Sequence, residues 1–242
     1  MNLDADGIQG VLFLPPGQHQ DDAIQVWGQL FPNDNPDGFQ KASASPSLAS
    51  TATGERDSYN VAINAQVGRI DIVLSSPPGS MVPTSGPPRI SDVRAAASHM
   101  AELMKRLVAR IQAVRVALIL DLAKTVARGS EGRELMNLLP GFPFPNNSTD
   151  IGVQFNSRRP FDAAPDIPMN RLCGWSSGQY GFIQSPQISS GALIVSPFVG
   201  VKIDVNSAPE FRVPTEKLSS MIDDLLAEAV CIYSDGSERL IK

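Results

Sequence analysis

Few side chains in this sequence are able to do chemistry, and they are scattered. Its 242 residues include two cysteines, Cys173 and Cys231, and two histidines, His19 and His99. A structural zinc takes about four Cys, His or carboxylate ligands, commonly arriving as close pairs. The cysteines have no second pair beside either, so no metal is expected, and without an export signal both thiols are expected to be reduced. Cys173 with His99 as its base would make a thiol nucleophile, but Leu172 and Trp175 beside it point to a thiol packed inside a sheet. Gly174-Trp175-Ser176-Ser177-Gly178 fits the G-x-S-x-G turn that presents the serine of α/β-hydrolases. In that arrangement a helix follows the serine and the histidine comes later in the chain. Here Gln179-Tyr180-Gly181-Phe182-Ile183 continues as strand or loop and both histidines lie upstream, so a turn between two strands is expected.

The acids give two further patterns. Asn33-Asp34-Asn35-Pro36-Asp37-Gly38 opens like a calcium-binding loop, but its twelfth position is Ala44, which has no side-chain oxygen, and an ordinary Asn/Asp/Gly turn is expected. Asp71 and Asp204 sit near strand ends, and Lys202 lies two residues before Asp204 on the same strand face. Asp71, Lys202 and Asp204 are therefore the alternative catalytic set, of the kind a metal-assisted hydrolase or nuclease would use. Outward-facing polar residues of a half-solvated sheet produce the same pattern. Neither a G-x-x-x-x-G-K-[ST] nor a G-x-G-x-x-G phosphate turn occurs, and no cofactor is expected.

These residues hang on a readable series of elements. Residues 7–14 read as a strand stopped by Pro15-Pro16-Gly17, and residues 21–31 as a helix capped by Asp21 or Asp22, with Ile24, Trp27 and Phe31 at helical spacing. Residues 42–54 carry no charge and no apolar period, and a mobile loop is expected there. From Tyr59 to Ser75 apolar residues alternate, and their phase slips across Gln66-Val67-Gly68, which predicts a hairpin turning at Gly68. The Pro-rich stretch 76–88 is a connector. Ser91 or Asp92 then caps a basic helix over 92–115, its stripe running through Val93, Ala97, Met100, Met104, Leu107, Ile111 and Val114. A buried strand from about Val116 follows, with a continuing helix as its rival, and then a short helix over Glu131–Leu139. The remainder offers strands at Ile151–Asn156, Arg171–Cys173 running toward Ile183, and Leu193–Val205, then a helix from Thr215 to about Ile232.

The first six elements run β-α-β-β-α-β, the order of a ferredoxin-like unit. The expected fold is α+β: an antiparallel-rich sheet whose ferredoxin-like N-terminal half (1–139) is extended by a three-strand plus C-terminal-helix second half (140–242), the two halves separate or continuous.

Charge is uneven: residues 1–60 carry 2 bases and 8 acids, 61–133 carry 10 and 5, and 134–242 carry 8 and 12, giving the overall −5. The basic middle suits an acidic partner, with Arg94, Lys105, Arg106 and Arg110 as the partner-binding residues. That region has no Phe, Trp or Tyr among its charges to stack on bases. A protein, or a second copy of this chain, is therefore expected ahead of nucleic acid, whose phosphates the basic helix would grip. The longest apolar run, Val116–Leu120, is far short of the ~20 residues of a membrane span. The acidic N-terminus does not read as an export signal. A cytoplasmic, non-enzymatic binding or assembly protein is the expectation, with uncharged loops at 42–54, 76–88 and 140–148 as further contact surfaces.

Overall fold

A computed structural model of the chain describes residues 1–17, 21–42, 49–77, 86–145, 148–183 and 193–241. Its nine strands are β1 (Asp4–Phe13), β2 (Gly38–Lys41), β3 (Ser50–Arg56), β4 (Tyr59–Gln66), β5 (Arg69–Ser75), β6 (Arg115–Thr125), β7 (Gly152–Pro160), β8 (Pro168–Ile183) and β9 (Leu193–Ser207). They form one sheet in the order β2-β3-β4-β5-β1-β6-β9-β8-β7, and every neighbouring pair is antiparallel. The helices are α1 (Ala23–Leu30), α2 (Val93–Val108), α3 (Glu131–Leu138), α4 (Leu218–Asp235) and α5 (Glu238–Ile241), with a 3-10 turn at Thr215–Lys217 before α4. The fold is mixed α+β around one large antiparallel sheet that takes strands from both halves of the chain.

The helices bury their apolar stripes on one face of that sheet. Ile8 and Leu12 of β1, Ile70, Ile72 and Leu74 of β5, and Leu118, Leu120 and Leu122 of β6 share a core with Met100, Met104 and Leu107 of α2 and Leu218, Met221, Leu225, Ala229 and Ile232 of α4. Gly10 of β1 lies directly under α2, where a Cβ would meet the Met104 side chain at 2.7 Å. On the opposite face Val11, Ala117 and Ile119, with Phe13 against them, make a small cluster that contains no helix residue.

Most elements follow their local sequence. Asp22 caps α1 in a reciprocal box with Gln25, and Asp92 caps α2 through the amide of Ala95. The hairpin turns at Gly68, whose φ is +74°, and 115–125 is a strand, not a continuation of the helix before it. Five expectations are corrected. The end of 42–54 is no loop: residues 50–54 belong to β3, with Ser50 and Ala52 buried, while 43–48 lie outside the described residues. The small residues of β3 make room for α1, since a Cβ on Gly54 would touch the Trp27 ring at 2.8 Å. In α1 the buried face is Ala23, Val26, Trp27 and Leu30, and Ile24 is exposed. The basic helix ends at Val108, short of 115, because the chain must turn at 109–114 to feed β6. Gly174–Gly178 is no turn but the interior of the 16-residue β8. Beyond the expected last helix, α5 folds back to be tied down by Arg239. Both cysteines are free thiols, and no helix among the described residues is long and apolar enough to cross a membrane.

Candidate functional site

The uncovered face of the sheet carries the three residues of the alternative catalytic set, but it holds them apart. Asp71 on β5 is 6% exposed. It accepts from Gln9 Nε2 at 2.9 Å and from Arg69 Nε at 2.9 and 3.0 Å, so its carboxylate is occupied by neighbours in the sheet. Asp204 on β9 stands opposite Ile119 of β6 and accepts from Asn206 Nδ2 at 2.8 Å. Between β5 and β9 lie β1 and β6. Three strand intervals of ~4.8 Å put the two carboxylates about 14 Å apart, too far to share a metal ion or a reacting bond. Lys202 faces the same way as Asp204 and pairs across with Asp121. Burial pushes the Asp204 carboxyl above the ordinary range, against the hydrogen bond from Asn206 and the charges of Lys202, Arg69 and Arg115. Among the described residues no group of three or more His, Cys, Asp or Glu side chains is placed to hold a metal.

The other candidate chemistry is equally dispersed. Cys173 is fully buried on the helix-side face of β8, and burial pushes its thiol up to about 12, which leaves it protonated and inert. His99 of α2 stacks on Tyr59 of β4 with ring centroids 5.5 Å apart. It therefore sits over the other half of the sheet from β8. His19 lies outside the described residues. Ser176 is exposed on the open face opposite Gly200 and Gly152, and the strand that carries it runs on to Ile183. In the Asn33–Gly38 segment the acids are engaged by Arg56, whose Nε lies 2.5 Å from Asp34 and whose Nη1 lies 3.7 Å from Asp37.

The basic helix divides its charges between two flanks. Arg94 donates from Nη2 to Ser234 Oγ at 2.7 Å, and Lys105 reaches Asp223 at 3.0 Å and Glu102 at 2.6 Å. Hydrogen bonds from Lys105 to Glu102 and Asp223 raise its pKa. These two residues staple α2 to α4. Arg106 and Arg110, one turn apart, point to the other flank, toward the end of α1. Both are exposed and make no ion pair among the described residues. They rim a groove of about 370 Å³ lined also by Gln29, Leu30, Pro32 and Ala109. An apolar floor under a pair of planar, permanently charged donors suits carboxylates carried beside an aliphatic or aromatic side chain.

Two polar clusters have no counterpart in the sequence reading. Arg69 and Arg115 sandwich the Phe13 ring on the open face, their guanidinium carbons 5.4 and 4.4 Å from its centroid. Asp6 accepts from Arg89 Nε at 2.6 Å and from the Tyr180 hydroxyl, and Arg89 lies 5.1 Å over the Tyr180 ring. Burial first, then the hydrogen bond to Asp6, pushes the Tyr180 phenol up to about 12. Residues in each cluster come from separate strands or from a connector, so no local motif could announce them. Comparison with protein-family models, characterised proteins and solved structures finds no match.

Proposed function

We propose that this chain is a non-enzymatic binding protein that receives an acidic segment of another protein in the groove between α1 and α2. The observation that carries the reading is the pair Arg106 and Arg110, which make no ion pair among the described residues and stand at the rim of an apolar-floored groove, while Arg94 and Lys105 are engaged within the fold. The acidic residue of the partner would pair with the guanidinium groups and its apolar neighbour would cover Leu30 and Pro32. The dispersal of Asp71, Lys202 and Asp204 supports recognition in preference to hydrolysis as the task.

Two finer assignments accompany this proposal. The N-terminal half is a ferredoxin-like unit: β1, α1, β4, β5, α2 and β6 follow the β-α-β-β-α-β order and the four strands lie as β4-β5-β1-β6, with the β2–β3 hairpin inserted after α1. The setting is cytoplasmic, which suits two thiols left unpaired.

The test is affinity purification from the native host with the wild-type chain and with the double variant Arg106→Glu, Arg110→Glu, followed by reconstitution with whatever protein co-purifies. A partner bound through this groove is lost from the double variant and kept by Arg94→Ala. A partner retained equally by all three chains overturns the assignment, and a co-purifying nucleic acid with no protein replaces it.

A further inference from the structure

Strand β7 closes one edge of the sheet, and among the described residues nothing pairs with its outer side. The direction of its free backbone groups follows from the ladder with β8. The amide of Ser177 donates to the carbonyl of Ile151 at 2.9 Å, so Ile151 and Ser177 are a hydrogen-bonded pair. Hydrogen-bonded positions alternate along an antiparallel strand. Odd-numbered residues therefore turn their N–H and C=O toward β8, and Gly152, Gln154, Asn156 and Arg158 present theirs outward. Pro160, the next even position, has no N–H to present, which is where proline is tolerated at a sheet edge.

We propose that two copies of this chain associate through β7, antiparallel about a twofold axis at Phe155, into one continuous sheet. In that register Gln154 faces Asn156 of the second copy and Gly152 faces its Arg158, so every outward group meets another outward group. A shift of the axis by one residue sets Gly152 against Pro160, or Arg158 against Asp150, which has left the strand at a φ of +55°. The two Phe155 side chains form the closer, non-hydrogen-bonded pair on the helix-side face. Phe155 and Phe142 are each 43% exposed and already touch, their centroids 6.5 Å apart, so the seam covers two such pairs. Charge agrees as well. The two Arg158 side chains stand about 20 Å apart along the seam, six residues at ~3.4 Å, and each lies beside Gly152 and the exposed Asp150 of the other copy.

The contrast with the opposite edge supports the choice. β2 is four residues long and ends at Lys41, which is paired with Asp22 at 3.1 Å, a short edge blunted by charge. β7 is nine residues long and has no charge before Arg158. This inference is independent of the α1–α2 groove, which lies over the other half of the sheet.

Light scattering after size-exclusion chromatography and sedimentation equilibrium of the full chain at high micromolar concentration give the mass directly. A dimer is expected, and a monomer at that concentration overturns the proposal. The seam is tested by Phe155→Cys, which is expected to form an intermolecular disulfide on mild oxidation, and by Ser157→Cys, whose sulfurs would lie too far apart. Asn156→Pro removes one outward N–H and is expected to give a monomer with a wild-type circular dichroism spectrum. A dimer that cross-links through neither cysteine places its interface elsewhere and refutes this one, whether or not the proline variant folds.

Discussion

Glu228 of α4, its side chain 1% exposed, meets Arg159 at 2.7 Å, Arg171 at 3.2 Å and Arg239 at 2.9 Å. Burial alone would raise its pKa, but hydrogen bonds from Arg239, Arg159 and Arg171 outweigh burial and hold it below the ordinary glutamate range. A group depressed in this way contributes stability above its unfolded pKa of ~4.3 and loses it as pH falls through the folded value. Glu228→Gln leaves three guanidinium groups around a neutral amide and is expected to cost about 3–5 kcal/mol in urea unfolding at pH 7. The deficit should shrink as the pH is taken below ~4.3, and a deficit that stays constant into acid would show that the charge is not what matters. Asp204 has the opposite sign. Its raised pKa means that its burial weighs against the fold once pH rises through the folded value. Asp204→Asn should therefore raise the melting temperature at pH 7 and leave it unchanged below ~3.9; a lower melting temperature at pH 7 would mean that Asp204 serves the fold as a charge.

The separation of stability from binding belongs to the elements. Met104 and Leu107 of α2 are fully buried against β1 and its neighbours, so Leu107→Ala is expected to cost about 2–5 kcal/mol. Arg106→Ala on the same helix with Arg110→Ala in the turn just after it should stay within ~0.5 kcal/mol, because both are exposed and make no ion pair among the described residues. Thermal melting of both variants decides between them, and a charge pair as costly as Leu107 would mean that the helix face is misassigned. At the β3–β4 turn Asp57 and Ser58 have φ of +52° and +67°, a conformation costing L-residues roughly 1–2 kcal/mol. Ser58→Gly should recover about 1 kcal/mol of that strain, and a loss of stability would contradict the relief. The elements that a reader could see in the sequence are those with an apolar period, α2, the β4–β5 hairpin turning at Gly68 and α4, together with β6, whose continuous apolar run left a helix as its rival. β3 was hidden because its buried positions are filled by Ser50, Ala52 and Gly54, the last leaving the room that Trp27 needs, and β2 because it is four residues long with none of them buried. A composition of small polar residues reads as a loop until the ring above it is known. The strand through Gly174–Gly178 misled for a related reason, since glycines within β8 have the look of turn chemistry.

Across the whole molecule, a sheet of nine antiparallel strands is covered by helices on one face. Alternation along β5 and β9 showed in the sequence that Asp71 and Asp204 face outward, but their lateral distance depends on β1 and β6 lying between them. Strand order is a property of long-range pairing that no local pattern contains. The same limit applied to α2: its basic residues were legible, but the division into a pair stapled to α4 and a pair facing α1 depends on which helices flank it. Arg106 and Arg110 are therefore the residues on which the proposed binding turns. The most direct measurement is the affinity of the reconstituted complex as a function of salt, for the wild-type chain and for Arg106→Glu with Arg110→Glu. Paired charges at a rim are screened by salt and act through association. The wild-type complex should weaken steadily as salt rises, and the double variant should bind at least about tenfold more weakly, a loss of ~1.4 kcal/mol, with a flatter salt dependence. Equal affinities and equal salt slopes for the two chains would contradict the account.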